Sequence, residues 1–244
     1  MKRFTLSLVA SACLLVACGA EAQVVTVPPM KDGGNVQMPF ALVPEWGSMK
    51  TPAVWNRPWS EYSREELVPT PSYDIKKLTV PMKELLKNRQ KNLSALTAKI
   101  FYSTRHMGRY HLDAGEDVGT HQGVDIKMPM GAPVGAIANG EIMEIISHEY
   151  MGDAVMQKIT VWGKDYVAIY GHCGKILVKA GDIVEMKQHI CEVGISGQTT
   201  DPHLHLQIDV YLGQEKHTPF QTKKTKQKSV ESWTVHPIKF ILAY

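Results

Sequence analysis

His121 and Asp125 in HQGVD, His172 in YGHC, and His203 and His205 in PHLHL are five side chains whose types suit a metal-dependent hydrolase. A catalytic zinc site usually takes three protein ligands from His, Asp or Glu and leaves a fourth position for water. Five groups therefore supply a ligand set and two members for proton transfer. Alternate side chains of a strand share one face about 6 to 7 Å apart. His203 and His205 would then face one cavity, one as ligand and the other as acid or base. An HxH pair by itself equally describes two hydrogen-bonded or surface histidines, so the weight rests on the flanks.

Those flanks predict the elements that must position the five groups. After His121 come Gly123, Val124, Asp125 and Ile126, then Gly131, Ala132, Pro133 and Val134, then Gly140 to Ile142. This is an alternation of short strands and turns. Between the histidine motifs runs ILVKAGDIVEMKQHICEVGISGQTTDPHLHL, in which Gly181 and Gly194 separate β-branched stretches. No helical periodicity crosses the region. The expected fold class is mainly β, with few peripheral helices.

From about Lys99 to Tyr211, and again at VHPIKFIL, the chain resembles the LytM and lysostaphin-type zinc metallopeptidases. That family's pattern is HxGxD, YxH, a stretch GxxVxxGxxIGxVGxTG and GPHLHFE, and its motifs occur here in the same order. The resemblance implies one Zn2+ held by His121, Asp125 and His205, with catalytic roles for His172 and His203. It implies a small antiparallel sheet core with an open groove, the duplicated hybrid motif of LytM-type domains. It also implies peptidoglycan peptides as substrate, cut by an endopeptidase. Cys191 and Asp201 stand where the family has glycines, and Leu206 and Gln207 replace Phe-Glu. Asp201 is expected as a turn residue before Pro202, or as an influence on substrate preference. Gln207 has the parity of the two histidines and is expected either to hydrogen-bond one of them or to end a solvated strand.

Zinc between two imidazoles and a carboxylate would polarise a carbonyl, and His172 and His203 are expected to handle the protons of water and leaving amine. The alternative function is a non-enzymatic LytM-fold activator of cell-wall amidases; retention of all five polar positions speaks against it. A barrel amidohydrolase using HxH fails for lack of strand-helix alternation. His106 and His111 are expected as exposed loop residues. His148, His189, His217 and His236 receive no role.

Lys2 and Arg3 precede an apolar run from Phe4 to Ala17, too short to span a bilayer comfortably. Residues 1–22 are therefore read as an export signal, placing the protein in the periplasm or cell envelope. Leu15-Val16-Ala17-Cys18 reads as a lipobox that would anchor the chain to membrane through lipidated Cys18, whereas Ala20-Glu21-Ala22 reads as an ordinary cleavage site. Cys173 and Cys191 then remain in the catalytic region, as a disulfide or as two buried thiols.

Residues 23–98 are expected to form a proline-rich arm bearing Trp46, Trp55 and Trp59, followed by a linking helix from Met82 to about Lys99 with leucines at 85, 86, 93 and 96. The arm reads as a cover across the groove or as a spacer. Residues 99–244 would be the catalytic domain, with an inserted lysine-rich loop at about 213–233. A net charge of +3 gives no electrostatic argument for nucleic acid as partner, and oligomeric state leaves no trace in the sequence.

Overall fold

Short β-branched and aromatic runs punctuated by glycine favour strands, and strands dominate the structure. It is a computed structural model that describes residues 36–44, 57–70, 102–104, 106, 109–111, 117–211 and 233–244. In chain order the strands are β1 (Leu42–Pro44), β2 (Leu67–Pro69), β3 (Tyr102–Thr104), β4 (Arg109–His111), β5 (Asp117–Thr120), β6 (Val124–Lys127) and β7 (Pro133–Gly135). There follow β8 (Gly140–His148), β9 (Gly152–Val161), β10 (Lys164–Ile176), β11 (Ile183–Val184), β12 (His189–Val193), β13 (His203–Val210) and β14 (Thr234–Val235). Helix α1 (Pro237–Ala243) closes the chain, with proline at its first turn where no backbone N–H is needed. The mainly β architecture expected from the sequence is the one that forms.

One antiparallel sheet runs β11-β8-β9-β10-β13-β6-β3, with β12 joining β10 to β7 and β14 added beside β13. Its middle strands are buried on both faces, and period-two alternation sorts their side chains. Val155, Ile159 and Val161 of β9, Tyr166, Ala168 and Tyr170 of β10, and Leu204, Leu206 and Ile208 of β13 enter the main core. Ala154, Met156, Val167 and Ile169 form a smaller apolar cluster, as strand parity requires of their opposite face. By the same parity, His203, His205, Gln207 and Asp209 of β13 leave the main core for that second face.

Segments 36–44 and 57–70 are joined to this sheet. Val36, Phe40 and Val43 are buried in the main core. Gln37 N–H donates to Ile137 O at 2.8 Å, Gly135 N–H to Pro39 O at 2.7 Å, and Trp59 N–H to Met130 O at 2.8 Å. Trp46, Trp55, the export signal, the linking helix and residues 213–232 of the lysine-rich loop lie outside the described residues.

Candidate metal centre

Two neighbouring strands bring the metal-type ligands together. In the β6–β13 register His205 lies opposite Asp125, and His203 opposite Lys127. Directly opposed residues of an antiparallel pair project on the same side, so these four share the second face. His121 reaches it from just before β6. The spacing HQG permits this because a Cβ on Gly123 would collide with Leu206 O and lie 2.7 Å from His205 Nε2.

His121 Nε2, Asp125 Oδ1 and His205 Nδ1 form a triangle whose three edges are each 3.0 Å, and all three residues are buried. Corners of such a triangle lie about 1.7 Å from its centre, close enough together for one ion with bonds of about 2.0 to 2.2 Å to be held by all three. Tautomers agree. Gln207 Oε1 lies 3.3 Å from His205 Nε2 and can only accept, so the proton resides on Nε2 and the Nδ1 lone pair faces inward. Gln207 in turn donates from Nε2 to both carboxylate oxygens of Asp209, at 3.0 Å each. Burial pushes the Asp125 carboxyl up, but the imidazoles of His121 and His203 outweigh it and hold the group well below the usual carboxylate range. The donor set and its geometry fit a zinc-type cation.

His172 arrives by a different device. Regular alternation would send it into the main core beside Tyr170. The register of β10 slips between Tyr170 and Cys173 against β9, a bulge, and His172 takes a left-handed φ of 57°. Cys173 consequently joins the main core, while the His172 ring lies 4.6 Å from that of His203 and 6.2 Å from that of His205, between centroids. Gly171, opposite His205, leaves the needed space, since a Cβ there would strike Met151 Sδ.

Both remaining histidines are anchored through Nδ1. His172 donates to Ser196 O at 2.8 Å and His203 to Asp201 O at 2.8 Å, so each presents Nε2 as the free base. His203 Nε2 is 3.6 Å from Asp125 Oδ1. Burial, with His203 and His205 alongside, pushes the His172 imidazole down to about 3; burial also lowers His203. Neutral imidazoles able to accept protons result.

All five residues singled out in the sequence thus converge. Gln207 is buried and bonded to His205, whereas a solvated strand end was the other expectation. Asp209 and Lys127 were missed although strand parity marked both, two residues beyond Gln207 and Asp125. Ser196 left no such mark, because its contribution is a backbone carbonyl. His106, expected as exposed, is partly buried with its ring 5.2 Å from that of His236. Its Nε2 lies 3.3 Å from Thr234 Oγ1. Cys173 and Cys191 are free, buried thiols, Cys173 donating from Sγ to Tyr170 O at 3.3 Å.

Residues 119–219 match Peptidase family M23. Peptidoglycan DD-endopeptidase ShyB of Vibrio cholerae is 36% identical over 89 residues, covering 36% of this chain and 20% of that protein. Lysostaphin of Staphylococcus simulans is 40% identical over 93 residues, covering 38% of this chain and 19% of its own length. The match thus spans about a fifth of these relatives. The solved catalytic domain of lysostaphin is 29% identical with a TM-score of 0.40, covering 56% of this chain and 88% of that one.

Proposed function

We propose, from the premise that residues 119–219 are a Peptidase family M23 domain, that this protein is an exported zinc endopeptidase. Its substrates are the stem or cross-bridge peptides of bacterial peptidoglycan, in line with the name of ShyB, a peptidoglycan DD-endopeptidase. One observation carries the reading: a buried 3.0 Å triangle of His121, Asp125 and His205 donor atoms with two further neutral imidazoles on the same face. His121, Asp125 and His205 would hold one Zn2+. When bound, zinc supplies a Lewis acid that polarises a carbonyl oxygen and makes water nucleophilic near neutral pH.

The remaining work falls to this chain's own groups. His203 and His172 present Nε2 as acceptors for the proton of the attacking water. In the protonated form they return it to the departing amine, so that the peptide nitrogen leaves neutral. Their Nδ1 bonds to backbone carbonyls fix the ring planes, and Ser196 O and Asp201 O also stabilise each ring while it carries the extra proton. Gln207 and Asp209 hold His205 in the ligating tautomer.

The positive start and apolar run of residues 2–17 support export to the envelope. Lipidation of Cys18 would tether the protein to membrane, and cleavage after Ala22 would release it.

Mature protein loaded with zinc and incubated with defined muropeptides should yield products with new amino and carboxyl ends by mass spectrometry. His205→Ala should lose the metal, measured by elemental analysis. His203→Ala should keep it while turnover drops by roughly 10²- to 10⁴-fold. A metal-replete, fully active His203→Ala enzyme would refute the assignment.

A further inference from the structure

We infer that Lys127 is a specificity-determining residue of this site, taking a free carboxylate on the substrate residue that flanks the cleaved bond in exchange for its resting partner Asp201. The inference rests on the peptidase reading above.

Register places Lys127 on the working face. It lies opposite His203 and two residues beyond Asp125, so its side chain projects on the same side as both. Its side chain is only 7% exposed, and Nζ lies 2.9 Å from Asp201 Oδ2. An ammonium has three donors, and this contact occupies one of them. A buried ammonium without an anion is costly, so Lys127 needs a carboxylate beside it at all times.

The pair is lopsided. The Asp201 side chain is 49% exposed, on a bend before the active strand, and Lys127 holds its carboxyl below the usual range. Asp201 can turn its carboxylate into water at small cost, whereas Lys127 cannot follow. The Asp201 backbone need not move, because its carbonyl continues to accept from His203 Nδ1 at 2.8 Å. An incoming carboxylate would replace Asp201 at Nζ while the peptide next to it lies beside His203. A substrate with a blocked or missing carboxylate leaves the resting pair in place and gains nothing from this cation. Asp201 thereby acts as an internal competitor that sets how strong the outside anion must be.

Two muropeptides that differ only in having a free carboxylate or a carboxamide beside the scissile bond test the inference. Their binding to zinc-loaded His172→Ala protein, which keeps the bond from His203 to Asp201 O, is read by calorimetry, and kcat/KM is read on the active enzyme. The carboxylate peptide should bind roughly ten- to a hundredfold tighter. Lys127→Met, which keeps volume without charge, should bring the ratio close to one. Asp201→Asn should raise it above wild type, and this second variant decides the matter if Lys127→Met fails to fold. Equal binding of the two peptides, binding of neither, or a ratio unmoved by both variants overturns the inference. A carboxylate preference in binding with no cleavage of either peptide by the active enzyme would instead overturn the peptidase reading and leave Lys127 as the anion-binding residue.

Discussion

At the scale of single residues, the site is governed by which ring nitrogen carries the proton, and each answer is built into a neighbour. Gln207 decides it for His205 through the 3.3 Å contact to Nε2. Gln207→Leu should leave the ligands in place but remove that support. Metal affinity should fall by about ten- to a hundredfold, measured by competition with a chromophoric chelator. His236 presents the opposite case. Both of its ring nitrogens are buried with no hydrogen-bond partner among the described residues, and burial, with Lys239 nearby, pushes the imidazole from 6.5 down to about 4. Between those two values the unfolded chain binds a proton that the folded one refuses. Stability should therefore decline as pH falls from about 6.5 towards 4, by on the order of 1 kcal/mol per pH unit from this group. Urea unfolding in the presence of chelator across that range should show the decline, and His236→Phe should make it shallower by this group's share, leaving the part that comes from His172, His203 and His106.

At the scale of elements, strands and bulges explain what was legible and what was not. HLH could be read as a ligating motif because β13 keeps strict alternation, so spacing in the chain equals position on a face; Asp125 of HxGxD has the same support from β6, whereas His121 lies just ahead of that strand. Gln207 and Asp209 continue the alternation of β13; Gln207 was read on those grounds, and Asp209, which they mark equally, was not. His172 was legible only as a motif member, because its orientation depends on a bulge that parity does not foresee. His106 was misjudged as exposed since its cover comes from His236, far away in sequence. The β9–β10 hairpin shows another local departure. Its turn carries Trp162 at φ 51° and Gly163 at φ 71°, the signs of a type I′ turn, in which Asn-Gly is favoured. A bulky side chain in the left-handed region costs about 1 to 2 kcal/mol, and the Trp162 ring, 65% exposed, recovers little by packing. Trp162→Asn should accordingly stabilise the protein by about 1 kcal/mol, raising the thermal midpoint by roughly 2 to 4 °C without altering metal binding.

At the scale of the whole molecule, the span that matches Peptidase family M23, residues 119–219, is smaller than the body that shares its core. Val36, Phe40 and Val43 precede it by many residues, and Ile238, Phe240 and Ile241 follow it, yet all six are in the main core with Val134 and Ile137. Phe40, only 2% exposed, should be the most revealing of them. Phe40→Ala should cost about 3 to 5 kcal/mol, seen as a shifted denaturation midpoint with an unchanged slope, whereas an arm lying loosely on the surface would give a change near zero. A fragment cut at the limits of the family match should expose these contacts and be prone to association. The alternation along β13 has a related but sharper consequence for how such a chain can vary. Leucine and isoleucine at 204, 206 and 208 face the core while His203, His205, Gln207 and Asp209 face the metal side, so adding or deleting one residue within the strand would exchange the two sets wholesale. A length change inside residues 203–210 is therefore compatible with the site only where a bulge absorbs it, as one does in β10 ahead of Cys173.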